Sequence, residues 1–403
     1  MKTSDALAPP ASLRRIALRF VLLLGAVSLF ADATYEGARS ITGPFLATLG
    51  ASAAVVGVVA GAGELLGYGV RLLSGLLADR LRRYWPLTLA GYTLNLIAVP
   101  LLALAGRWDV AALLIVAERI GKAIRTPPRD AMLSHATTQV GSGFGFGVHE
   151  ALDQIGAVGG PLLVAAVLGT GATYRHAFAA LVLPAVVSLS LLLVARRTYP
   201  EPSALEPLSH RVSAAGLPQS LRWYLVGTGL VAAGYADFSL LAYHFARTQV
   251  VSAEAVPLLY ALAMASDAGA AILFGRWFDR VGLRALVSAT LLAAGFAPLA
   301  FLGGPPAVVL ATVLWGVGIG VQESILRAAV AEMVSRDRRA SAYGIFNAVF
   351  GVCWFAGSAT MGILYGLNPV FLVAFSLLAQ LAAVPFFVAA GGRLSRTGPG
   401  HHP

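Results

Sequence analysis

Long apolar runs constrain this chain more than any other feature of its sequence. A helix that crosses a bilayer needs about 20 mostly apolar residues, and runs of that kind follow one another along almost the whole chain. They predict an all-α membrane protein with twelve membrane-spanning helices joined by short connections. The predicted spans lie near 18–31, 53–77, 86–105, 109–127, 144–168, 176–195, 222–246, 255–275, 285–302, 307–331, 341–365 and 370–391.

The composition excludes several other classes of protein. Hydrophobic residues make up 58% of the 403 residues and charged residues only 12%, whereas soluble domains carry about 25% charged residues. A soluble enzyme, a disordered chain and a nucleic-acid binder are therefore excluded, despite a net charge of +10. The single cysteine, Cys353, excludes a disulfide framework and a cysteine-ligated metal site. No nucleophile elbow or phosphate loop is visible, so we expect neither an enzyme nor a cofactor.

The distribution of basic residues predicts the orientation in the membrane. Most of the 29 basic residues fall in segments on the side of the N-terminus. Only four fall on the opposite side: Arg39, Arg107, Arg175 and Arg247. Because positively charged loops stay in the cytoplasm, we expect both termini there and the protein in the inner (plasma) membrane.

The chain divides into two halves around one long polar segment. This segment follows the sixth predicted span and contains four prolines, which indicates a linker. We therefore expect an N-terminal six-helix half at 1–195, a cytoplasmic linker at 196–221 and a C-terminal six-helix half at 222–403.

Several residues recur at nearly constant offsets between the halves, which predicts pseudo-symmetry. The segment Gly75-Leu-Leu-Ala-Asp79-Arg80 recurs as Gly275-Arg-Trp-Phe-Asp279-Arg280. In the same way Asp32 recurs as Asp237, Glu118 as Glu323 and Lys122 as Arg327. Secondary transporters are often built from such repeats, with the substrate site at the repeat interface.

The repeated loop after the second span resembles a motif of the major facilitator superfamily, and this resemblance covers nearly the whole chain. The family pattern is G-x-L-a-D-R-x-G-R-[RK], with Arg82 here in place of the second glycine. The resemblance implies a conformational latch, in which the aspartate meets arginines and a helix N-terminus at the cytoplasmic face. Its residues would be Gly75, Asp79 and Arg80, and in the second half Gly275, Asp279 and Arg280.

The fourth predicted helix carries charges deep in a span, which makes them functional candidates. Arg119 resembles the buried arginine of the family pattern R-x-x-Q-G, with Lys122 in place of the glutamine. Glu118 and Lys122 lie four residues apart on one helical face, and so do Glu323 and Arg327. Each pair can neutralise itself, so the pairs are either substrate contacts or gate and packing ion pairs.

The fifth predicted helix carries a glycine pattern similar to that of antiporters in the superfamily. Its members are Gly147, Gly156, Gly160 and Pro161, while Val164 and Ala165 replace the closing glycine pair of the pattern. The resemblance implies exchange of substrate for protons, and therefore efflux. The alternative is close helix packing without a functional role.

Acidic residues in the first and seventh helices are candidate proton carriers. Asp32, Glu36 and Arg39 share one helical face. Arg39 can pair with Glu36, which leaves Asp32 without a local cation. We expect Asp32 and Asp237 to form a proton-coupling pair, with Glu36 as a third participant. The alternative is that these carboxylates are simply hydrated at the mouth of a cavity.

Other polar and aromatic side chains are candidates for a cavity wall or gate. Glu64 and Asp267 lie near the middle of the second and eighth helices, where they are candidates for gating or for substrate binding. His149 and Asp153 lie four residues apart and form either a pH-sensitive pair or a buried histidine held by its aspartate. Eight deep acids against five deep bases predict a net negative interior, which favours cationic substrates. Aromatic walls for a lipophilic cation could come from Tyr35, Tyr235, Phe238, Trp315 and Trp354.

Three functions remain open from the sequence. The leading hypothesis is a monomeric exporter in the lipid bilayer that exchanges small lipophilic or cationic molecules for protons. A second is a symporter or uniporter for a nutrient, including anionic metabolites held by Arg119, Lys122 and Arg327. A third, from another class, is a membrane receptor or scaffold without transport activity. None of these involves a nucleic acid or a metal.

Overall fold

The computed structural model is helical in almost every part that it describes, which is residues 11–81, 84–140, 142–200, 219–334 and 339–394. A one-turn 3-10 helix at Leu102–Leu104 extends the third helix. The helices are α1 (Ala11–Thr48), α2 (Ala53–Leu81), α3 (Tyr84–Leu101), α4 (Trp108–Val140), α5 (Ser142–Gly169), α6 (Tyr174–Ala180), α7 (Val182–Thr198), α8 (Gln219–Gly234), α9 (Phe238–Thr248), α10 (Ala255–Val281), α11 (Leu283–Ala293), α12 (Phe296–Leu302), α13 (Pro305–Met333), α14 (Arg339–Leu367) and α15 (Pro369–Leu394).

Eleven helical segments within these ranges are long and apolar enough to cross a membrane. Three of them combine two helices each, namely α6 with α7, α8 with α9, and α11 with α12. The fourth predicted span, 109–127, lies inside α4 and is not among the eleven, because charged side chains interrupt its apolar sequence at Glu118, Arg119, Lys122 and Arg125. At about 1.5 Å per residue, α4 is nevertheless about 50 Å long. The chain is a multi-pass membrane protein.

The predicted seventh span is broken, where the sequence predicted a continuous helix over 222–246. Helix α8 ends at Gly234 and α9 begins at Phe238. Asp237 adopts an extended backbone conformation there, and its carboxylate accepts a hydrogen bond from the Ser239 amide at 2.8 Å. Aspartate is a strong N-cap residue because it satisfies a free amide of the first turn. The break therefore has a local cause in the sequence.

The ends of the helices define two faces of the bundle. Tyr199, just after α7, donates its hydroxyl to the Ile16 carbonyl oxygen in α1 at 3.4 Å. Its own carbonyl oxygen accepts from Trp85 Nε1 in α3 at 2.9 Å. We call this face, where α1 begins and α2 and α7 end, the basic end. Most of the predicted linker, 201–218, lies outside the described residues.

The halves are packed tightly at the face opposite the basic end. A methyl group added at Gly43 in α1 would lie only 1.9 Å from the Ser239 carbonyl oxygen in α9. The hydroxyl of Tyr243 in α9 donates to the carbonyl oxygen of Ala51 at 3.3 Å. Helix α2 also packs along α14 near this face, where Gly57 meets Ser358. These contacts close the opposite end.

Two glycines of the antiporter-like pattern allow α5 to lie directly on α1. A methyl group at Gly156 would lie 2.1 Å from the Leu29 carbonyl oxygen, and one at Gly160 would lie 2.0 Å from the Ala33 carbonyl oxygen. Gly147 has nothing within 4 Å of its added methyl group. Pro161 is buried next to Gly160 within the same helix. The pattern therefore contributes close packing at two of its three glycines.

The residues of the predicted latch lie at the basic end. Gly75 in α2 faces Pro127 in α4, at 3.6 Å from an added methyl group. Arg80, Asp279 and Arg280 are exposed, and no ion pair involving them is recorded for the part of the chain that the structure describes. The side chain of Asp79 lies outside the described residues. Gly275 is half-buried in α10 and has nothing within 4 Å of an added methyl group.

We predict that Gly156→Ala destabilises the protein, whereas Gly159→Ala on the same helix does not. The new methyl group at 156 must push against backbone atoms of α1, while position 159 has nothing within 4 Å. Overpacking of this kind lowers the free energy of unfolding by about 1–3 kcal/mol. Thermal melting of the two purified variants in detergent measures the difference. Equal melting temperatures would contradict the packing described above.

Candidate functional site

A cavity of about 470 Å³ lies between the two halves of the bundle. Helices α1, α2, α4 and α5 line it on one side, and α10, α13 and α14 line it on the other. Its exposed lining side chains include Glu150, Glu323 and Arg327, whereas Tyr35 and Glu36 at its inner part are buried. The cavity thus opens toward the basic end.

The lining of the cavity is balanced in charge, so the predicted net negative interior is wrong. Two predicted acids, Glu118 and Asp237, do not line this cavity, whereas Arg125 and Arg129 do. The seven acids are Asp32, Glu36, Glu64, Glu150, Asp153, Asp267 and Glu323, and the seven bases are Arg39, Arg71, Arg119, Lys122, Arg125, Arg129 and Arg327.

Arg39 on α1 joins the two halves at the inner end of the cavity. Its guanidinium donates to the Asp237 carboxylate at 2.9 Å and lies 3.5 Å from Glu64 on α2. The Asp237 side chain is only 3% exposed. The predicted pairing of Arg39 with Glu36 is therefore not found. Asp237 is held as a cap of α9 and as an ion-pair partner, away from the cavity surface.

Arg39, Glu64 and Asp237 form a cluster of ion pairs, and Arg119 on α4 extends this cluster within the N-terminal half. Its guanidinium lies 3.4 Å from Glu64 and 3.3 Å from Glu118. The side-chain amide of Asn95 on α3 donates to Glu118 at 2.7 Å. The predicted pairing of Glu118 with Lys122 does not form, because Glu118 is turned toward its neighbour Arg119 and toward α3.

A second, much smaller cavity marks the far side of this cluster. It has a volume of about 20 Å³, which is enough for about one water molecule. Tyr35, Arg39 and Arg119 line both cavities. These three side chains, together with the ion pairs of Arg39 and Arg119, therefore form the floor of the large cavity.

Lys122 and Glu36 form the next layer toward the basic end. The Lys122 ammonium lies 3.8 Å from a Glu36 carboxylate oxygen and 3.8 Å from the centre of the Tyr35 ring. The other carboxylate oxygen of Glu36 accepts a hydrogen bond from the Tyr260 hydroxyl on α10. This contact is a second polar link between the halves.

Asp32 lies in the next layer toward the basic end, where it has only a distant basic partner. Its carboxylate lies 3.5 Å from the guanidinium of Arg125, and one of its oxygens is buried without a hydrogen-bond partner in the described structure. Arg125 is almost fully buried and lies over the Tyr92 ring at 4.3 Å. Two of its nitrogens likewise have no recorded hydrogen-bond partner. Asp32 and Asp237, the predicted proton-coupling pair, therefore lie in separate networks.

Arg129 and Asp153 form the outermost layer. The Arg129 guanidinium lies 2.8 Å from Asp130 and 3.7 Å from Asp153, and it donates to the Ser28 hydroxyl at 3.0 Å. His149 lies 3.4 Å from Asp153 and is buried. The interpretation of His149 as a buried histidine held by Asp153 is thus confirmed.

Four basic side chains on α4 form a ladder along the cavity: Arg119, Lys122, Arg125 and Arg129. Their spacing of three, three and four residues places them on one helical face, and each meets an acid of α1, α2 or α5. Arg125 and Arg129 count among the basic residues on the side of the N-terminus. Because α4 continues through Pro127 and Pro128, both side chains lie on a helix rather than a loop and line the cavity. The regular spacing of these four basic residues was the feature of the sequence that could have predicted a charged helical face.

The wall formed by the C-terminal half is aromatic and acidic. Of the predicted aromatic residues, Tyr35, Trp315 and Trp354 line the cavity. Tyr235 and Phe238 are instead buried behind Trp315, with ring centroids 6.1 and 5.3 Å from it. Asp267 and Glu323 line this wall, and Arg327 lies nearby. Other aromatic residues that line the cavity were not predicted from the sequence, namely Tyr68, Tyr260, Phe346 and Phe350. The described residues contain no group of His, Cys, Asp or Glu that could hold a metal ion.

A family model for the Major Facilitator Superfamily matches residues 22–358 and 225–401. An uncharacterized protein of Mycobacterium tuberculosis (strain H37Rv) is 45% identical over 390 residues, which cover 95% of each chain. An uncharacterized MFS-type transporter of Methanocaldococcus jannaschii is 26% identical over 362 residues, covering 87% of this chain and 89% of that one.

Solved transporters share the fold at low sequence identity. The peptide transporter POT superposes with a TM-score of 0.75 at 14% identity, covering 94% of this chain and 95% of that chain. The nucleoside transporter NupG gives 0.69 at 15% identity, covering 93% and 98%. A bacterial homolog of the human lysosomal transporter Spinster, in an inward-facing and occupied conformation, gives 0.70 at 19% identity, covering 95% and 97%.

These matches support a transporter with a small-molecule substrate rather than an enzyme. The predicted resemblance to the family is confirmed at that level, because both the family model and the relatives extend over most of the chain. The chain belongs to the Major Facilitator Superfamily.

Proposed function

We propose that this protein is a secondary active transporter that exports small lipophilic or cationic molecules in exchange for protons. The observation that carries the proposal is the cavity between the halves, open at the basic end and closed by packing and ion pairs at the opposite end. A central site reached from one side at a time is what alternating access requires. In this proposal the halves are 1–195 and 222–403, α4 also crosses the membrane and brings the number of spans to twelve, and the monomer is the working unit.

The basic end is assigned to the cytoplasm of the inner membrane. Arg80, Arg196, Arg197, Arg280 and Arg284 lie at the ends of helices on this face and are exposed. A surplus of arginine on one face is the usual mark of the cytoplasmic side. The cavity is then open to the cytoplasm, so a substrate enters it from inside the cell.

Proton coupling is assigned to Asp32 and Glu36, which line the cavity and pair with cations of α4. Protonation of Asp32 removes its charge and frees Arg125, while protonation of Glu36 frees Lys122. Either event changes the balance of buried charge that holds α1 against α4. Asp237 is reassigned from proton carrier to gate, since its carboxylate ties α9 to Arg39 on α1.

Export is favoured by the close packing of α5 on α1 at Gly156 and Gly160, which matches the antiporter-like pattern of the sequence. A lipophilic or cationic substrate is favoured by the aromatic and acidic wall of the C-terminal half. The first feature bears on how α5 can move against α1, and the second bears on which substrates the cavity can bind.

A second candidate function is symport or uniport of a nutrient or an anionic metabolite. The ladder of Arg119, Lys122, Arg125 and Arg129 favours it, because four cations along one wall can hold a carboxylate or phosphate. Each of these cations already meets a protein carboxylate within 4 Å, so an anion must displace an existing partner. For this reason the ladder supports an anionic substrate less strongly than the aromatic and acidic wall supports a cationic one.

Reconstituted protein tests the direction of transport. In liposomes with an acidic lumen, an antiporter should accumulate the cation ethidium inside as protons leave, whereas empty liposomes should not. A symporter should instead accumulate its substrate when the outer solution is acidic. Flux of ethidium in neither gradient, together with no flux of neutral or anionic probes, would contradict transport and favour a receptor or scaffold.

We predict that Asp32→Asn separates proton coupling from substrate exchange. The amide keeps the shape of the side chain and cannot carry a proton, so gradient-driven ethidium accumulation should fall about tenfold or more. Exchange of labelled for unlabelled ethidium without a gradient should persist. Asp109→Asn is the matched control, because Asp109 is exposed and pairs with Arg107 at the opposite end. Full gradient-driven accumulation in Asp32→Asn would remove Asp32 from the mechanism.

A further inference from the structure

One buried carboxylate in the structure lacks a cationic partner. Among the described residues, five acids are less than 9% exposed, and four of them have a basic nitrogen within 4 Å. These are Asp237 with Arg39 at 2.9 Å, Glu118 with Arg119 at 3.3 Å, Asp32 with Arg125 at 3.5 Å and Glu36 with Lys122 at 3.8 Å. The fifth is Asp267 on α10, which is 4% exposed and has no such partner in the described part of the chain.

A second acid lies beside Asp267 along the contact between α10 and α13. A methyl group added at Gly320 would lie 2.3 Å from the Asp267 carbonyl oxygen and 2.8 Å from its carboxylate. Glu323 follows Gly320 by three residues, so it lies on the same face of α13 one turn closer to the basic end. Both acids line the cavity. They therefore form one acidic site on the C-terminal wall.

Two neighbouring polar groups are also left without a hydrogen bond. The side-chain oxygen of Gln322 on α13 and the indole nitrogen of Trp354 on α14 have no recorded partner. Both side chains line the cavity and are more than nine-tenths buried. A buried polar atom without a partner is costly unless a ligand or water satisfies it. The Gln322 oxygen accepts hydrogen bonds, so it matches a ligand that carries an N–H group.

The aromatic side chains of this wall suit a cation with an apolar body. Tyr260, Trp315 and Trp354 line the same half of the cavity, and aromatic faces attract a desolvated positive charge. Among the described residues, Arg327 is the one basic side chain that lines this wall; it is exposed and forms no ion pair within 4 Å with Glu323 or Asp267. An anionic ligand would meet Asp267 without a counterion.

We propose that the positively charged group of the substrate binds between Asp267 and Glu323, with an N–H group donating to Gln322 and an aromatic or aliphatic body against Trp315 and Trp354. The substrate class is an organic ammonium or amidinium with an apolar body. The proposal rests on the proposed function, since it names the ligand of the same cavity. It assigns substrate binding to the C-terminal half and leaves the proton-carrying acids in the N-terminal half.

Three planar three-ring probes of similar shape test the proposal: aminoacridine as the cation with N–H groups, acridine as the neutral form and anthracene carboxylate as the anion. Isothermal titration calorimetry of the full chain in detergent, corrected for empty micelles, measures their Kd. We expect aminoacridine to bind about tenfold or more tightly than the other two. Asp267→Asn and Glu323→Gln should each weaken its binding about tenfold.

Two controls separate this pair from general electrostatics. Asp109→Asn lies at the opposite end and should leave the Kd unchanged. Glu254→Gln removes an exposed acid at the start of α10, at the opposite end of the helix that carries Asp267, and should change the Kd about twofold or less. An equal loss in Glu254→Gln would overturn the proposal, as would tight binding of neutral acridine or unchanged binding in both site variants. If Asp267→Asn fails to fold, Glu323→Gln, whose side chain is exposed, still decides the outcome.

Binding and transport can fail separately. Selective aminoacridine binding that depends on Asp267 and Glu323, without flux in liposomes, would support this site and contradict the proposed transport. If ethidium flux is observed but aminoacridine binding is unchanged in Asp267→Asn and Glu323→Gln, transport is supported and this site is overturned.

Discussion

The ion pair between Arg39 and Asp237 is the contact on which the rest of this structure depends. It joins α1 to the start of α9 across the two halves, at a depth where its two side chains are 15% and 3% exposed. A charge at that depth is costly without a partner, so each residue requires the other while this end is closed. Glu64 and Arg119 extend the pair into a cluster that closes the cavity floor. Opening the opposite end must break this cluster or give its charges new partners.

The two halves contribute different chemistry to the cavity, although they repeat each other in sequence. The N-terminal half presents a ladder of cations on α4, each held by an acid of a neighbouring helix. The C-terminal half presents aromatic rings and the carboxylates of Asp267 and Glu323. The helices before and after the predicted linker therefore differ in the side chains that they present to the cavity. We infer a division in which one wall responds to protons and the other holds the substrate.

The fold was largely predictable from the sequence, and the pairing of charges was not. Apolar runs and repeated motifs predicted helical spans and the family, because hydropathy directly determines what can cross a bilayer. Local spacing predicted His149 with Asp153 correctly. The same reasoning paired Glu118 with Lys122 and Arg39 with Glu36, whereas both cations reach acids of other helices. Spacing along one helix cannot predict which side chain a neighbouring helix brings closer, and α4 also continued past its two prolines.

Distances between spin labels at the two ends test alternating access most directly. With Cys353 replaced, one label pair at Thr48 and Thr248 reports on the opposite end, and another at Thr198 and Arg284 reports on the basic end; all four positions are exposed at helix ends. We predict that Arg39→Gln lengthens the Thr48–Thr248 distance and shortens the Thr198–Arg284 distance within one population. Unchanged distances at both ends in Arg39→Gln, in a folded protein, would contradict the claim that this ion pair holds the transporter closed on one side.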